Sequence, residues 1–491
     1  MHVTLRRLPA LSLVVTLIAV GACSDDESTT NSATPTNDAG TDTGTNPIDD
    51  GGRQPTNEGG TACTTTLNFA PGEEQNLQDA VNSLTGCANI VLAAGTYNFD
   101  NALTIRQANV SLVGAGKGTK GEATGGTAST VLVFTNAAAN TNGVDAVGDN
   151  FVIRNLAIWN AKKDGLRVED SKNVKIQSIR TEWAQENQIT NGAYGIYPVK
   201  SENVLIEESE AYNASDAGIY VGQTKTAIVR KNVAKQNVAG IEIENTSFAD
   251  VYENTAEDNT TGLVVFDLPG NPVKGTDIRM HDNTITGNNR PNFASNSGSS
   301  STVSQVPAGT GTFILASRRV ELFNNTWTDN NSVDVAILSG LSIEPDPAKW
   351  AAAGGNFGTQ DVYMHDNKFT GGSGDSVDNG EPNKDSRPLG AIIAGMYMQG
   401  GKAVEPVIWD GMDPDPTNTT PANDINLCLK TNTYAAGTVE VIADLNFPVS
   451  AEAAMAGDLG TAWNATVRFK ADEAPYNCAG FSPPVAAVTL P

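Results

Sequence analysis

Glu242 and Glu244 stand two residues apart in Ala239-Gly-Ile-Glu-Ile-Glu-Asn245. Apolar and acidic residues alternate there as they do along a half-buried strand, so both carboxyls project from one face. Their Cα atoms then lie about 6.5–7 Å apart, a spacing comparable to that of the carboxyl pairs that hydrolyse glycosidic bonds. An acid/base role for Glu242 or Glu244 is the chemistry this pattern allows, with Tyr220 as proton donor. A calcium site built from Glu242, Glu244 and Asp267 is the metal reading of the same carboxyls. Such pairs are also common as plain solvated surface.

Two short segments upstream end in the same way, Gly195-Ile-Tyr-Pro198 and Gly218-Ile-Tyr-Val221, and one downstream continues the series, Gly262-Leu-Val-Val265. Aligned on their glycines, they put Arg167, Tyr197, Tyr220, Glu242 and Val264 in one outward column. Glu169, Val199, Gly222, Glu244 and Phe266 form the next. Asp170, Lys200, Gln223, Asn245 and Asp267 run beside it. If successive segments stack at about 4.8 Å, then Tyr197, Tyr220, Gln223, Glu242 and Glu244 make one solvent-facing patch of aromatics, amides and carboxylates. Tyrosines stack on sugar faces, and carboxylates and amides take hydroxyls. Arg167, Tyr197, Tyr220, Gln223 and Asp267 are therefore expected to bind a polysaccharide, with Arg167 as a clamp for a carboxylate.

The elements that would position these residues follow from the repeat. The glycines fall 23, 22 and 22 residues apart, a period of solenoids whose units bury their apolar faces only by stacking. A second apolar strand follows each first one, as in Asn203-Val-Leu-Ile206 and Ala227-Ile-Val229. An asparagine recurs behind it, at Asn232, Asn254, Asn283, Asn325 and Asn367. The first interval is 22 residues, and the next three (29, 42 and 42) are that unit with loops inserted. Buried asparagines at a coil turn can bond to each other and to the backbone of neighbouring coils. Helical periodicity is absent from this region. The expected fold is all-β, a right-handed parallel β-helix with an N-terminal helix cap and a disulfide-stapled C-terminal cap.

His281 and His365 both occur in Met-His-Asp-Asn. A catalytic base or a copper site is the sharp alternative. Their asparagines align with Asn232, Asn254 and Asn325, however, and the histidines themselves align with Arg230, Tyr252 and Phe323. The two copies fall two coils apart, so a structural role is expected and no metal.

At the N-terminus, Arg6 and Arg7 precede an apolar run, Leu11–Val20, too short to span a bilayer. Val20-Gly-Ala-Cys23 then matches a lipoprotein cleavage site, which predicts a signal over 1–22, a lipid on Cys23 and, with Ser24 following, the outer membrane of a bacterial envelope. Residues 23–60 hold almost no large apolar residue and are expected to be a disordered acidic tether. The folded part is expected to start near Thr61, with a helix over Asn76–Leu84 ahead of a first strand starting at Cys87. The β-helix should run to 384, and 385–491 should hold the last coils and cap. An exported chain permits disulfides, and the cysteine positions predict Cys63–Cys87 and Cys428–Cys478. The loop from Arg290 to Gly311 is a candidate lid, with Phe293, Val306 and Pro307 as its docking points. The formal net charge of −25 argues against binding nucleic acid or an anionic membrane surface; the lipid is the predicted link to the membrane.

The stretch from Asn191 to Asn331 resembles the bacterial exported parallel β-helix repeat proteins of unknown function. The matching segments are Asn191-Gly-Ala-Tyr-Gly-Ile-Tyr-Pro-Val199, Ala214-Ser-Asp-Ala-Gly-Ile-Tyr-Val-Gly-Gln223, Ala239–Asn245, Val265-Phe-Asp-Leu-Pro-Gly270 and Val306-Pro-Ala-Gly-Thr-Gly311. That family is similar to the copper-associated β-helix proteins and alginate epimerases. The resemblance implies an exported dihaem c-type cytochrome as a partner, since members are often encoded beside one. The chain lacks a polygalacturonase's Gly-His-Gly, a pectate lyase's Arg-x-Pro-x-x-Arg and an epimerase's Asp-Pro-His-Asp. The expected function is thus binding of a polysaccharide or another envelope component. The alternatives are a lyase, epimerase or hydrolase of acidic glycans, and an accessory protein to the cytochrome.

Overall fold

The computed structural model describes residues 63–295, 302–344, 346–372, 388–412, 425–447 and 449–491. The predicted signal, the lipid site Cys23, the tether and the boundary at Asp385 lie outside them, as does the centre of the Arg290–Gly311 loop.

Among the described residues, the strands form two hydrogen-bonded sheets of 21 and 12 strands. Every pairing but the last in the 12-stranded sheet is parallel, so each turn of chain adds one strand to each face of a coil. Ala217–Gly222, Lys225–Arg230 and Val233–Lys235 make one such coil. Ile196, Ile219, Ile241 and Leu263 fall in register and are fully buried in the interior, as the alternation predicts.

The asparagine column is as expected and continues one coil further. The Asn232 N–H and Nδ2 both donate to Asn254 Oδ1 at 3.0 Å, and Asn254 bonds Asn283 in the same way. Asn367 passes the series on to Asn432. Each amide also donates to a carbonyl of the preceding coil, as Asn254 Nδ2 does to Val229 O at 2.9 Å. A second buried column, Asn237, Asn259, Asn288 and Asn330, lies at the next corner. It explains the glycine repeat: a Cβ on Gly240 would meet Gly262 O at 2.6 Å and Asn259 Nδ2 at 2.9 Å.

Strand Thr66–Phe69 precedes the helix, which spans Glu74–Asn82, and pairs with Ala88–Leu92. The strand at Cys87 is therefore the second and not the first; a four-residue strand with no repeat ahead of it left no periodic signal. Leu77 and Val81 of the helix are buried in the core. Gln78 bonds both the N–H and the carbonyl of Thr104 in Leu103–Ile105, the last strand of its sheet, at 2.9 and 3.0 Å. A side chain thus occupies the edge that another strand could otherwise extend. At the other end Val467–Lys470 pairs antiparallel with Glu440–Asp444, which stops the coiling. Both predicted disulfides, Cys63–Cys87 and Cys428–Cys478, are formed.

Three of the inserted loops leave on one side. Segments 267–275, 287–309 and 339–359 precede or follow strands of the 12-stranded sheet. With helix Pro388–Gly400 their described residues lay a second apolar layer on its outer face. Phe266, Phe313, Leu315 and Leu338 are buried there against Phe293, Val303, Val306, Trp350 and Met396. The predicted docking points Phe293 and Val306 are thus packed down, and Asn292 Nδ2 ties the two ends of that loop to Val303 O and Val306 O at 3.0 and 2.9 Å.

Candidate functional site

The outward column runs Asp145, Arg167, Tyr197, Tyr220, Glu242, Val264, Phe313, Ala336. It turns from charged through aromatic and acidic to apolar. The covering layer sits on the apolar end, and the candidate site lies where that cover stops.

The patch is not the open, solvent-facing surface that alternation implied. Tyr220 is 4% exposed and Glu242 3%; Glu244, Tyr197 and Gln223 are half-buried. The inserted segments and the tyrosines themselves remove this face from water, which no single repeat unit reveals. Tyr197 and Tyr220 do come together, with ring centroids 5.0 Å apart, and Tyr194 joins them at 4.5 and 4.7 Å. Alternation back from Ile196 would turn Tyr194 inward. Tyr194 instead packs with the outer cluster while Ile196 stays in the core.

Glu242 and Glu244 hydrogen-bond to each other, and the Tyr220 hydroxyl donates to Glu244. Burial holds Glu242 well above the usual carboxylate range, reinforced by the charges of Asp216 and Glu244. Burial also pushes Glu244 up to about 7, against the hydrogen bonds from Tyr220 and Glu242 that lower it. At neutral pH the pair therefore holds at least one proton, on Glu242, with Glu244 as the acceptor. Tyr220 is buried, and that burial, with the charge of Glu244, keeps its hydroxyl protonated. Glu242 Oε2 is buried with no hydrogen-bond partner. Asp164, 1% exposed, stands one coil before Tyr194; burial raises it to about 6, offset by Lys163, the Tyr194 backbone and Arg167.

Two predicted ligands are engaged elsewhere. Asp267 is 3% exposed and accepts from Arg318 Nη1 at 3.0 Å, Asn245 Nδ2 at 2.7 Å and the Gly275 N–H at 2.9 Å. It braces the 267–275 insertion and faces no opening. Arg167 is ion-paired with Glu169 and lies 3.9 Å from Asp145, so its guanidinium is already neutralised and makes a poor carboxylate clamp. Among the described residues no three His, Cys, Asp or Glu side chains come together as a metal site, and Glu242, Glu244 and Asp267 are not gathered into one. Gln223 sits at a coil corner with φ 48°.

The Met-His-Asp-Asn histidines have the structural role expected of them. Tyr252, His281, Phe323 and His365 stack face to face at 4.8, 4.6 and 5.2 Å. His281 bonds Asp250 at 2.9 Å and Asp282 at 2.7 Å, and His365 bonds Glu321 at 3.3 Å and Asp366 at 2.8 Å.

Residues 138–306 match the family described as a right handed beta helix region. The fold is a right-handed parallel β-helix. Among solved structures the chain is similar to the A-module of the Azotobacter vinelandii mannuronan C-5 epimerase AlgE4, with 18% identity over 74% of this chain and 90% of that one and a TM-score of 0.46. It is similar to the periplasmic alginate epimerase AlgG at 12% identity, covering 77% and 73%, with a TM-score of 0.41. An alginate lyase from Paenibacillus sp. str. FPU-7 is similar at 14% identity, covering 62% and 98%, with a TM-score of 0.36. No curated protein matches the chain. At these identities and scores the likenesses carry no argument about chemistry, which rests on the residues described above.

Proposed function

We propose that this chain is a carbohydrate-binding β-helix protein of the bacterial cell envelope, carried on a lipid at Cys23. Tyr194, Tyr197 and Glu244 form its sugar site, and Tyr220 and Glu242 support them. The observation that carries the reading is the contact of three tyrosine rings beside a glutamate pair that shares a proton. Ring faces take the apolar faces of a pyranose. Glu244, half-buried and held by two donors, offers an acceptor for a hydroxyl, and it stands in fixed geometry because its neighbours cannot move.

A second reading, an enzyme acting on polysaccharide, is favoured by the position of Glu244 near pH 7. A group that titrates close to the working pH can both take and return a proton, and Tyr220 could supply one to the leaving glycosidic oxygen or, in an epimerisation, to the carbon being reprotonated. A glycan array and a turnover screen on the purified protein separate the two. Binding lost in Tyr197→Ala/Tyr220→Ala, with no product from any glycan, makes it a binding module. Product formation lost in Glu242→Gln/Glu244→Gln makes it an enzyme. A wild type that neither binds nor turns over any glycan removes both readings.

A further inference from the structure

Around the tyrosine cluster the carboxylates divide into two kinds. Those at the rim each have a cation: Asp145 is paired with Arg106 at 3.0 Å, Glu169 with Lys200 at 3.2 Å and with Arg167, and Asp267 with Arg318 at 3.0 Å. Those at the centre are not ion-paired among the described residues: Asp164, Glu242 and Glu244 make no salt bridge, and no side chain donates to either oxygen of Asp164, although the charges of Lys163 and Arg167 reach it. Beyond burial, the charges of Asp164 and Glu244 bear on Tyr197, and those of Asp216 and Glu244 on Tyr194.

We infer that the site selects a glycan bearing a free, protonated amine, an amino sugar whose ring stacks on Tyr194 and Tyr197 and whose ammonium is drawn to Glu244. This rests on the carbohydrate-binding reading and specifies its ligand. A buried carboxylate with no ion-pair partner is costly once it ionises, and an incoming ammonium is the partner that relieves Glu244. A uronate is disfavoured for the converse reason. It would add a carboxylate to a cluster whose neighbouring guanidiniums are already taken, Arg167 by Glu169 and Asp145, Arg106 by Asp145 and Arg318 by Asp267. The aromatic faces contribute a cation–π term of the same sign. The orphaned Glu242 Oε2 is a further acceptor behind Glu244. An ammonium at Glu244 also lowers the Glu244 pKa from about 7, so binding near neutral pH should release the proton that Glu244 carries part of the time.

Calorimetry with the full chain tests this using four probes: a chitosan tetrasaccharide, its fully N-acetylated counterpart, a mannuronate tetrasaccharide and spermidine. The expected result is chitosan binding at least about ten-fold tighter than the N-acetylated sugar, equivalent to about 1.4 kcal/mol. The mannuronate should be weakest, and proton release should appear as a difference in heat between two buffers of unequal ionisation enthalpy. Asp164→Asn and Glu242→Gln/Glu244→Gln, each checked for an unchanged melting profile, should close the gap between the two chitin-type probes; if the double variant does not fold, Asp164→Asn alone decides. Mannuronate or the N-acetylated sugar binding as well as chitosan overturns the amine inference while leaving the carbohydrate reading intact. Spermidine binding as well as chitosan overturns the sugar half. Binding of none of the four sugars and amines overturns both.

Discussion

The Tyr220 ring lies back along its own strand over Gly222, so close that a Cβ on residue 222 would stand 2.3 Å from the Tyr220 hydroxyl. Glu244 is the residue that pairs with Gly222 on the next coil. The missing side chain at 222 is therefore what lets the hydroxyl reach that carboxyl. Gly222→Ala should leave the coil stack intact and move Tyr220 off Glu244. The lost donor lowered the Glu244 pKa, so that pKa should rise above about 7. Glycan affinity should fall by about 1.5–3 kcal/mol, the worth of one hydrogen bond to a charged group left unmade. Titration of a 13C-labelled glutamate side chain reads the first effect and calorimetry the second; a Glu244 pKa that stays put would show the contact to be incidental.

Stability should fall as pH rises from about 4 to about 8. Burial raises Asp334 to about 8, against the hydrogen bond from Asn330, and Asp410 to about 7, against its bonds from Ser339 and Met412. Glu244 is raised to about 7 as well. An acid whose folded pKa is raised binds more protons folded than unfolded between its unfolded and folded pKa values, so stability declines across that window and levels off above it. The histidines act in the same direction. Burial lowers His281 and His365, but their hydrogen bonds to carboxylates outweigh it and raise both; the stability they add is present at low pH and lost as pH rises through their folded values. Melting temperature against pH checks the slope, and Asp334→Asn should flatten its upper part.

Asn254→Ala should cost about 2–3 kcal/mol, because it strips a partner from the buried Asn232 N–H and from Val229 O at once. Chemical denaturation checks the loss against Lys225→Ala on the exposed face of a neighbouring coil, where little change is expected. This column was legible in the sequence because Asn232 and Asn254 share the repeat's own spacing. The glycine series, the core positions and both disulfides were legible for the same reason: each obeys a local period or a count. The second column, Asn237 to Asn330, was hidden because its residues sit next to the glycines that dominated the alignment. The site was only half legible. Its columns were right, since register follows from the repeat. Its exposure was wrong, since the cover comes from insertions with no repeat of their own. Tyr194 and Asp164 were missed because, just before the repeat's glycines, they depart from the alternation that assigns a side.

Val306→Ala with Phe293→Ala should loosen the covering layer without unwinding the coils. Both side chains are nearly or fully buried against the outer face of the sheet and outside its core, and truncating a buried Phe alone costs about 3–5 kcal/mol. The expected outcome is faster hydrogen exchange confined to 287–315 and new binding of a hydrophobic dye, with the asparagine columns still protected. Uniform loss of protection would mean that the cover and the helix fold as one unit.

His281→Phe should be better tolerated than His281→Ala. A phenyl ring keeps the stack between Tyr252 and Phe323, whose planes lie within 6° and 12° of the imidazole. It loses the bonds to Asp250 and Asp282, yet Asp250 retains Arg279 at 2.7 Å, so the carboxylate is not left bare. Alanine loses the bonds and opens a gap in the ring column, and should be less stable than the phenylalanine variant by about 1 kcal/mol, the added worth of stacked aromatic contacts. If phenylalanine proved as costly as alanine, the imidazole's hydrogen bonds, and not its ring, would be what the coil requires. Copper retention can be measured on the same proteins. The histidine nitrogens are already turned to Asp250, Asp282, Glu321 and Asp366, so wild type and both variants should hold copper equally poorly.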